Sequence, residues 1–284
     1  MDFVGKRKIW YLISGVVLLA GLGSLVFRGL NLGIDFQSGT LMQLRMDDTS
    51  VTQEQLREAL GAFDLERSNI NLGDDLSFTI KSVELDQERQ TQVLDGVRES
   101  LGDFDLRRVE TVGPVIGAEL TRAAIWALVL VFAMIIVYVS IRFQLKMALA
   151  AILTLVHDSL VMLGFFSIFQ WEVESYFIAA VLTIIGYSIN DTIVIFDRVR
   201  ENLKGRRRDD LKTVINNSIS QTVGRSVNMS LVVMFVLLAL IFFGGETTRV
   251  FAIALLIGNF AGFYSTLVVA GPLWYDLRPR ERRD

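Results

Sequence analysis

Two ionisable residues, Asp191 and Arg225, lie within or at the edge of long apolar stretches of this 284-residue chain. A charged side chain in the hydrocarbon of a membrane is costly, so such a residue is by default a functional candidate. Arginine stays protonated and its charge favours an ionised carboxylate nearby, whereas removal from water favours the neutral acid. An aspartate balanced between these influences could load and release a proton as its surroundings change.

Both residues also have a structural interpretation. An aspartate near a helix end can reach the headgroup region, and an arginine can extend its charged group to the interface. His157 and Asp158 form a second polar site within an apolar stretch, either as a proton relay or as a hydrogen-bonded knot between helices. Asn228, in the polar region around Arg225, is a further candidate for this second polar site.

The composition excludes several classes of protein. With no cysteine and one histidine, the chain has no disulfide scaffold, zinc–thiolate site or cysteine nucleophile, and a histidine-rich metal site is disfavoured. H-E-x-x-H, G-x-S-x-G, P-loop and Rossmann glycine motifs are all missing from the sequence. We therefore predict a protein that is not an enzyme and needs no metal or cofactor. The net charge of −3 indicates no nucleic-acid partner.

Six apolar stretches are long enough to cross the hydrocarbon core of a bilayer as helices. They cover residues 9–27, 123–141, 147–169, 176–196, 225–243 and 250–274. The sixth contains Gly258 and Gly262, a G-x-x-x-G pair that permits close approach of another helix but is common in membrane proteins. The sequence therefore predicts a multi-pass α-helical membrane protein.

Lysine and arginine indicate which side each connection occupies. Basic residues concentrate in residues 1–8, in the short connection after residue 141, in a basic loop or amphipathic helix at residues 197–224, and in residues 275–284. Six crossings place all four segments on one side. We therefore expect both termini to be cytoplasmic in a protein of the cytoplasmic membrane.

Residues 28–122 are too long for a loop and should form a separate extracytoplasmic domain. From Arg28 to Thr121 there are nine lysines and arginines against eighteen aspartates and glutamates, a net charge of −9. Periodicity predicts two helices, one beginning at Thr52 with a capping box to Gln55 and one over Asp86–Leu101. Predicted strands cover Leu41–Met46, Ile70–Leu72, Leu76–Ile80 and Leu106–Val112. This order favours a small ferredoxin-like α+β domain.

The stretch from Gly186 to Asn202, which contains Asn190-Asp191-Thr192, resembles a signature of the SecD/SecF family of bacterial protein-export membrane proteins. Shorter segments agree with it along nearly the whole chain. They contain Gly33, Asp35 and Gly39 after the first span, Gly113 and Pro114 before the second, His157-Asp158 in the third, and Arg225 with Asn228 at the fifth. One departure is Ser38, where the family often has a second glycine.

The resemblance implies a subunit of the resistance–nodulation–division superfamily that pairs with SecD, acts beside the SecYEG-type channel and uses the proton-motive force. Asp191 would carry the proton, Arg225 would pair with it, and Asn190 would share their site. The external domain would meet the translocating polypeptide. Six spans and one external domain are half of the usual assembly, so SecD would supply the other half of the proton path.

Other functions are compatible with the same features. A scaffold subunit would stabilise the translocon without carrying ions. A small-molecule exporter of the same superfamily generally has twelve spans and two external domains, twice what is present here. An intramembrane protease is disfavoured because no nucleophile–base pair or aspartate dyad is evident.

Overall fold

A computed structural model describes residues 1–48, 50–73, 77–205 and 210–278. Leu76 of one predicted strand, the arginines at 206–208 and the tail beyond residue 278 lie outside this part of the chain. The chain divides into two compact units. The membrane unit comprises Met1–Asn31 and Trp126–Asp284, and the insert domain comprises Leu32–Ile125.

Long helices at both ends of the described chain flank a region in which short strands and helices alternate. The elements are α1 Arg7–Arg28, β1 Asn31–Leu32, α2 Ile34–Gln37, β2 Gly39–Met46, α3 Gln53–Gly61, β3 Asn69–Leu72, β4 Ser77–Ser82, α4 Gln87–Leu101, β5 Phe104–Val112, α5 Pro114–Arg142, α6 Leu145–Phe169, β6 Glu172–Val173, α7 Ser175–Gly205, α8 Leu211–Phe243, α9 Glu246–Ser265, a π-helical segment Thr266–Ala270, and α10 Gly271–Leu277.

In the part of the chain that the structure describes, six helical stretches are long and apolar enough to cross a membrane, as the sequence predicts. They are α1, α5, α6, α7, α8 and the continuous run from α9 to α10. The sixth contains the π-helical segment, a local widening of the helix that is frequent near functional sites.

The helices extend further than the apolar stretches. Helix α5 begins at Pro114, inside the predicted external domain, and α7 and α8 occupy most of residues 197–224, where a loop was one of the two expectations. Hydropathy detects only the lipid-embedded part of a helix, whereas backbone hydrogen bonding continues through polar residues. Pro114 suits the start of α5 because a first-turn residue needs no amide donor.

The core of the membrane unit is formed by α6, α7 and the sixth span, with α1 packed on α6 and α8 on α7 and α9. More than half of the apolar part of α6 is buried, whereas very few residues in the apolar part of α5 are buried. A side chain at Gly258 would clash with Ile184 and lie 2.7 Å from the sulfur of Met162. This glycine therefore lets α9 approach α6 and α7 closely.

The insert domain has a four-stranded antiparallel sheet in the order β3-β4-β2-β5, with α3 and α4 completing a β-α-β-β-α-β sequence. This is the ferredoxin-like arrangement that the sequence predicts. Thr52 and Gln55 form the expected capping box at the start of α3. The core consists of apolar residues from the strands and both helices, among them Met42, Leu44, Leu56, Leu60, Phe78, Ile80, Val93 and Val97.

A tight connection enters β2. Ser38 has a φ of 65°, and Gly39 follows with a φ of 131°. Both angles lie in the region that favours glycine, yet only the second residue is one. A side chain at Gly39 would also clash with the backbone oxygen of Ser82 on the neighbouring strand. The serine at position 38 therefore places backbone strain in this turn.

Candidate functional site

Asp191 lies on α7, half-buried, beside a narrow cleft formed with α8 and α9. Ser188, one helical turn earlier, lines the same cleft together with Asn259 and Gly262 of α9. The cleft encloses about 20 Å³, enough for one water molecule. The Oδ1 atom of Asp191 is buried and has no hydrogen-bond partner among the described residues. A carboxylate placed in this way has an unused acceptor that a proton or a donor from outside the chain could occupy.

Arg225 lies on α8 near enough to Asp191 for their charges to interact. Within the described residues, however, no ion pair of 4.0 Å or less joins the two side chains. Arg225 is exposed, as are Asn190 on α7 and Asn228 on α8. The sequence grouped Asp191, Arg225 and Asn190 in one site, and the structure orients the aspartate toward the cleft while the other two face outward.

The outward-facing residues lie on two helices that pack against each other, α7 and α8. We define the polar strip as Tyr187 and Asn190 of α7 with Arg225 and Asn228 of α8. Tyr187 is 48% exposed. Next to this strip, α8 exposes large apolar side chains such as Val232 and Phe235. A guanidinium and two amides at a lipid-facing surface would be costly, so this face needs another protein surface or water against it.

A second polar cluster lies in the interior of the membrane unit. Oδ1 of Asp158 is 2.9 Å from Nδ1 of His157, and Oδ2 accepts hydrogen bonds from Ser188 at 2.6 Å and Ser265 at 2.9 Å. The cluster joins α6, α7 and α9. Asn228, which the sequence grouped with the histidine and aspartate, lies on the polar strip instead. The two serines were missed because a serine in a helix gives no sequence signal; only the spacing of Ser188 from Asp191 could have indicated one of them.

The remaining motif residues have structural positions. Gly33 caps α2, which contains Asp35, and Gly113 immediately precedes Pro114 at the start of α5. Gly262 lies against Ser188, and a side chain there would meet the serine Cβ at 3.2 Å and Oδ2 of Asp158 at 3.7 Å. No cluster of three or more histidine, aspartate or glutamate side chains suited to a metal ion occurs among the described residues.

Ion pairs join the ends of several membrane helices. The carboxylate of Asp2 lies 2.8 Å from Nζ of Lys212 at the start of α8 and accepts hydrogen bonds from the Gly5 amide and from Asn216. The hydrogen bond from Lys212, with those from Gly5 and Asn216, lowers the pKa of Asp2 to about 2. Arg7 of α1 pairs with Asp276 of α10 at 2.9 Å. These contacts bring the N-terminus, the start of α8 and the end of the sixth span together.

The sequence of the chain matches two family profiles. One, described as "Protein export membrane protein SecD/SecF, C-terminal", covers residues 92–280, and the other, "SecD/SecF GG Motif", covers residues 23–50. The chain belongs to the SecD/SecF family. The second match contains Ser38 and Gly39, so the strained turn that enters β2 lies in the family's glycine motif.

The sequences of individual relatives align with almost the whole chain. The chain is 38% identical to "Protein translocase subunit SecF" of Sebaldella termitidis, over 98% of this chain and 92% of that protein. It is 40% identical to "Protein translocase subunit SecDF" of Bacillus subtilis, over 99% of this chain but 38% of the relative. Relatives of this family therefore occur both as SecF chains of similar length and as longer SecDF chains.

A solved structure has the same fold. The crystal structure of SecDF from Thermus thermophilus, named as a translocon-associated membrane protein, superimposes with a TM-score of 0.90 at 34% identity. The match covers 97% of this chain and 38% of the SecDF chain. The chain is thus a multi-pass membrane protein with the fold of the matched part of SecDF, and its relatives are named as translocase subunits.

Proposed function

We propose that this SecD/SecF family member couples the proton-motive force to protein export across the cytoplasmic membrane, together with a SecD partner. The observation that carries the proposal is the Asp191 carboxylate, which is half-buried in a membrane helix, has an acceptor atom without a partner, and lies within electrostatic range of Arg225. A carboxylate can alternate between charged and neutral forms, whereas the arginine stays charged. Proton binding would then change the net charge of this site by one.

The polar strip supports the need for a partner. Asn190, Arg225 and Asn228 are exposed on a surface that also contains large apolar side chains. A partner that covered the strip would remove these groups from lipid and complete the surroundings of Asp191. The SecDF relative of Bacillus subtilis, of which this chain spans 38%, carries additional chain in the same polypeptide. We infer that SecD takes the corresponding place here.

Proton coupling also needs a site that can change its exposure. The cleft at Asp191 has room for about one water molecule and is bounded by α7, α8 and α9. Small shifts between these helices would open the carboxylate to one side of the membrane or close it. The π-helical segment at Thr266–Ala270 gives the sixth span a local irregularity at which such a shift can begin.

The proposed orientation follows from basic residues and from the ion pairs at helix ends. Asp2, Lys212 and Asp276 belong to segments that the positive-inside rule assigns to the cytoplasm. Both termini would be cytoplasmic, and the acidic insert domain would face the opposite side, where it can meet the emerging polypeptide. The translocon channel of the SecYEG type is the proposed neighbour in the membrane.

Export kinetics test the proposal. Asp191→Asn keeps the size and polarity of the side chain but removes its ability to carry a proton. In cells that contain SecD, we expect this variant to slow the export of a secreted reporter at normal levels of the complex. Asp197→Asn is the matched control, because Asp197 lies on the same helix in a surface ion pair with Arg142 at 3.0 Å. Unchanged export in Asp191→Asn would favour the scaffold function instead.

A further inference from the structure

Ser188 connects the cleft of Asp191 with a second titratable group. Its side chain lines that cleft, and its hydroxyl donates a 2.6 Å hydrogen bond to Oδ2 of Asp158. Ser265 donates to the same oxygen at 2.9 Å. The Asp158 carboxylate is therefore held by donors from two neighbouring helices, and one of these donors reaches the site to which we assign proton binding.

The other oxygen of Asp158 faces histidine. Nδ1 of His157 lies 2.9 Å from Oδ1, and the two residues are 8% and 1% exposed. Two serine hydroxyls and a ring N–H are suited to an ionised carboxylate, which accepts hydrogen bonds only. A buried carboxylate without a positive partner is costly, so a cation beside it would be stabilising.

His157 can provide that cation. Its Nε2 atom is buried and has no hydrogen-bond partner among the described residues. Because Nδ1 is engaged by Asp158, Nε2 is the atom at which the ring would gain a second proton. With the second proton, His157 and Asp158 form an imidazolium–carboxylate pair with no net charge. Without it, the neutral imidazole and the carboxylate together carry one negative charge.

Among the described residues, Tyr264 is the ionisable residue shown in contact with this pair. Tyr264 of α9 stacks on the imidazole with ring centres 6.3 Å apart, and its hydroxyl donates to the backbone oxygen of Trp10 on α1. The ring of His157 also lines a cavity of about 380 Å³ between α1, α6 and α9, where Ser14 is the polar residue that α1 contributes. From α7, Ser188 contacts the pair, and Asp191 lies one helical turn further along the same helix. Its charge and the charge of the pair should therefore influence each other.

We propose that His157 and Asp158 form a second proton-binding site, and that Ser188 links its occupancy to that of Asp191. This inference rests on the proposed role of Asp191 as proton carrier. When Asp191 binds a proton, one negative charge near Ser188 disappears, so the histidine binds its own proton less readily. The pair would bind a proton more readily while Asp191 is ionised and release it more readily once Asp191 is protonated.

The single histidine of the sequence makes a direct experiment possible. The full chain is produced with ¹⁵N-labelled histidine and a histidine-free affinity tag, reconstituted in liposomes, and studied by solid-state ¹⁵N NMR from pH 5 to 9. Every histidine signal then comes from His157. We expect one protonation step, with a midpoint that Asp191→Asn lowers by about 0.5 pH unit or more. Ser188→Ala should reduce this dependence.

Ser159→Ala is the matched control, because Ser159 adjoins Asp158 on α6 but donates to the backbone oxygen of Leu155 at 2.9 Å. It should leave the midpoint unchanged. A ring that keeps one protonation state from pH 5 to 9, or a midpoint that Asp191→Asn does not move, would overturn the inference. The spectra do not depend on export, so a negative NMR result overturns this inference alone. The proposed function is overturned by a different result, namely that Asp191→Asn does not slow export.

Discussion

Gly21 of α1 and Gly164 of α6 lie directly against each other. A Cβ atom on Gly21 would lie 2.9 Å from Cα of Gly164, and one on Gly164 would lie 2.7 Å from Cα of Gly21. Toward the end of α1, the hydroxyls of Ser24 and Ser167 are 2.8 Å apart across the same pair of helices. Helices in lipid associate by close packing of small residues and by hydrogen bonds of this kind. This crossing attaches α1 to the core of the membrane unit.

Gly21→Leu should weaken the crossing, because no side chain fits between the two backbones. We expect a loss of about 1–3 kcal/mol in stability, which is the usual cost of forcing extra volume into a packed contact. Thermal unfolding in nanodiscs would show it as a lower midpoint. Gly15→Leu on the same helix should have little effect, since nothing lies within 4 Å of that position. Equal midpoints for both variants would show that the crossing contributes little.

Ser38→Gly should stabilise the insert domain. Ser38 has a φ of 65° and a ψ of 163°, a conformation that only glycine adopts without strain. Removing the side chain should raise stability by about 1 kcal/mol. Hydrogen exchange of the β2 amides in the full chain would report slower opening. Ser100→Gly is the control, because Ser100 lies in the exposed part of α4. There the same substitution should lower stability, by about 0.5 kcal/mol.

Gly39→Ala should destabilise the same domain. The residue has a φ of 131°, and a methyl group would clash with the backbone oxygen of Ser82. We expect a cost of about 2 kcal/mol, seen as faster hydrogen exchange in β2 and β4. Gly61→Ala is the control, because the nearest atom there is Cβ of Glu66 at 3.9 Å. If the amides of β2 and β4 exchanged hydrogen at the same rate in Gly39→Ala and Gly61→Ala, the turn would not require glycine at position 39.

Asp2 should titrate well below an ordinary aspartate. Its pKa is lowered to about 2 by Lys212, Gly5 and Asn216, from a usual value of 3.8. Because the folded pKa is the lower one, the stabilisation by these contacts is complete above about pH 4 and is lost as the pH falls through 2. The amide proton shift of Gly5, followed by NMR in acid, should have its midpoint near 2.

Lys212→Met is the control for this titration. Without the ammonium group the midpoint should move up toward 3.8, the ordinary value for aspartate. Asp48, whose carboxylate accepts hydrogen bonds from Ser50 and also has a lowered pKa, should not respond to the lysine variant. A midpoint near 4 in the unmodified chain would contradict the contact between the N-terminus and α8.

The architecture could be predicted where local sequence determines it. Apolar length identifies the six spans, and the Thr52–Gln55 capping box and alternation in β2 identify the insert domain. The ends of α5, α7 and α8 could not be predicted, because polar turns continue a helix without any change that hydropathy detects.

The site could be predicted only in part for a different reason. Asp191, Arg225 and His157 stand out because charged or imidazole groups are rare in apolar helices. The contributions of Ser188 and Ser265 depend on how three helices meet, which a single sequence does not encode locally. Nor could the sequence reveal that Asn190 and Arg225 face outward while Asp191 faces the cleft.

The most direct test of proton coupling at Asp191 measures proton movement itself. The chain and SecD are reconstituted in liposomes that contain a pH-sensitive dye, a pH difference is imposed, and the initial rate of proton entry is compared with that of protein-free liposomes. We predict a rate that Asp191→Asn reduces to the protein-free level and that Asp197→Asn, in its surface ion pair, leaves unchanged. Equal proton entry in the unmodified complex and in Asp191→Asn would contradict proton coupling at this residue.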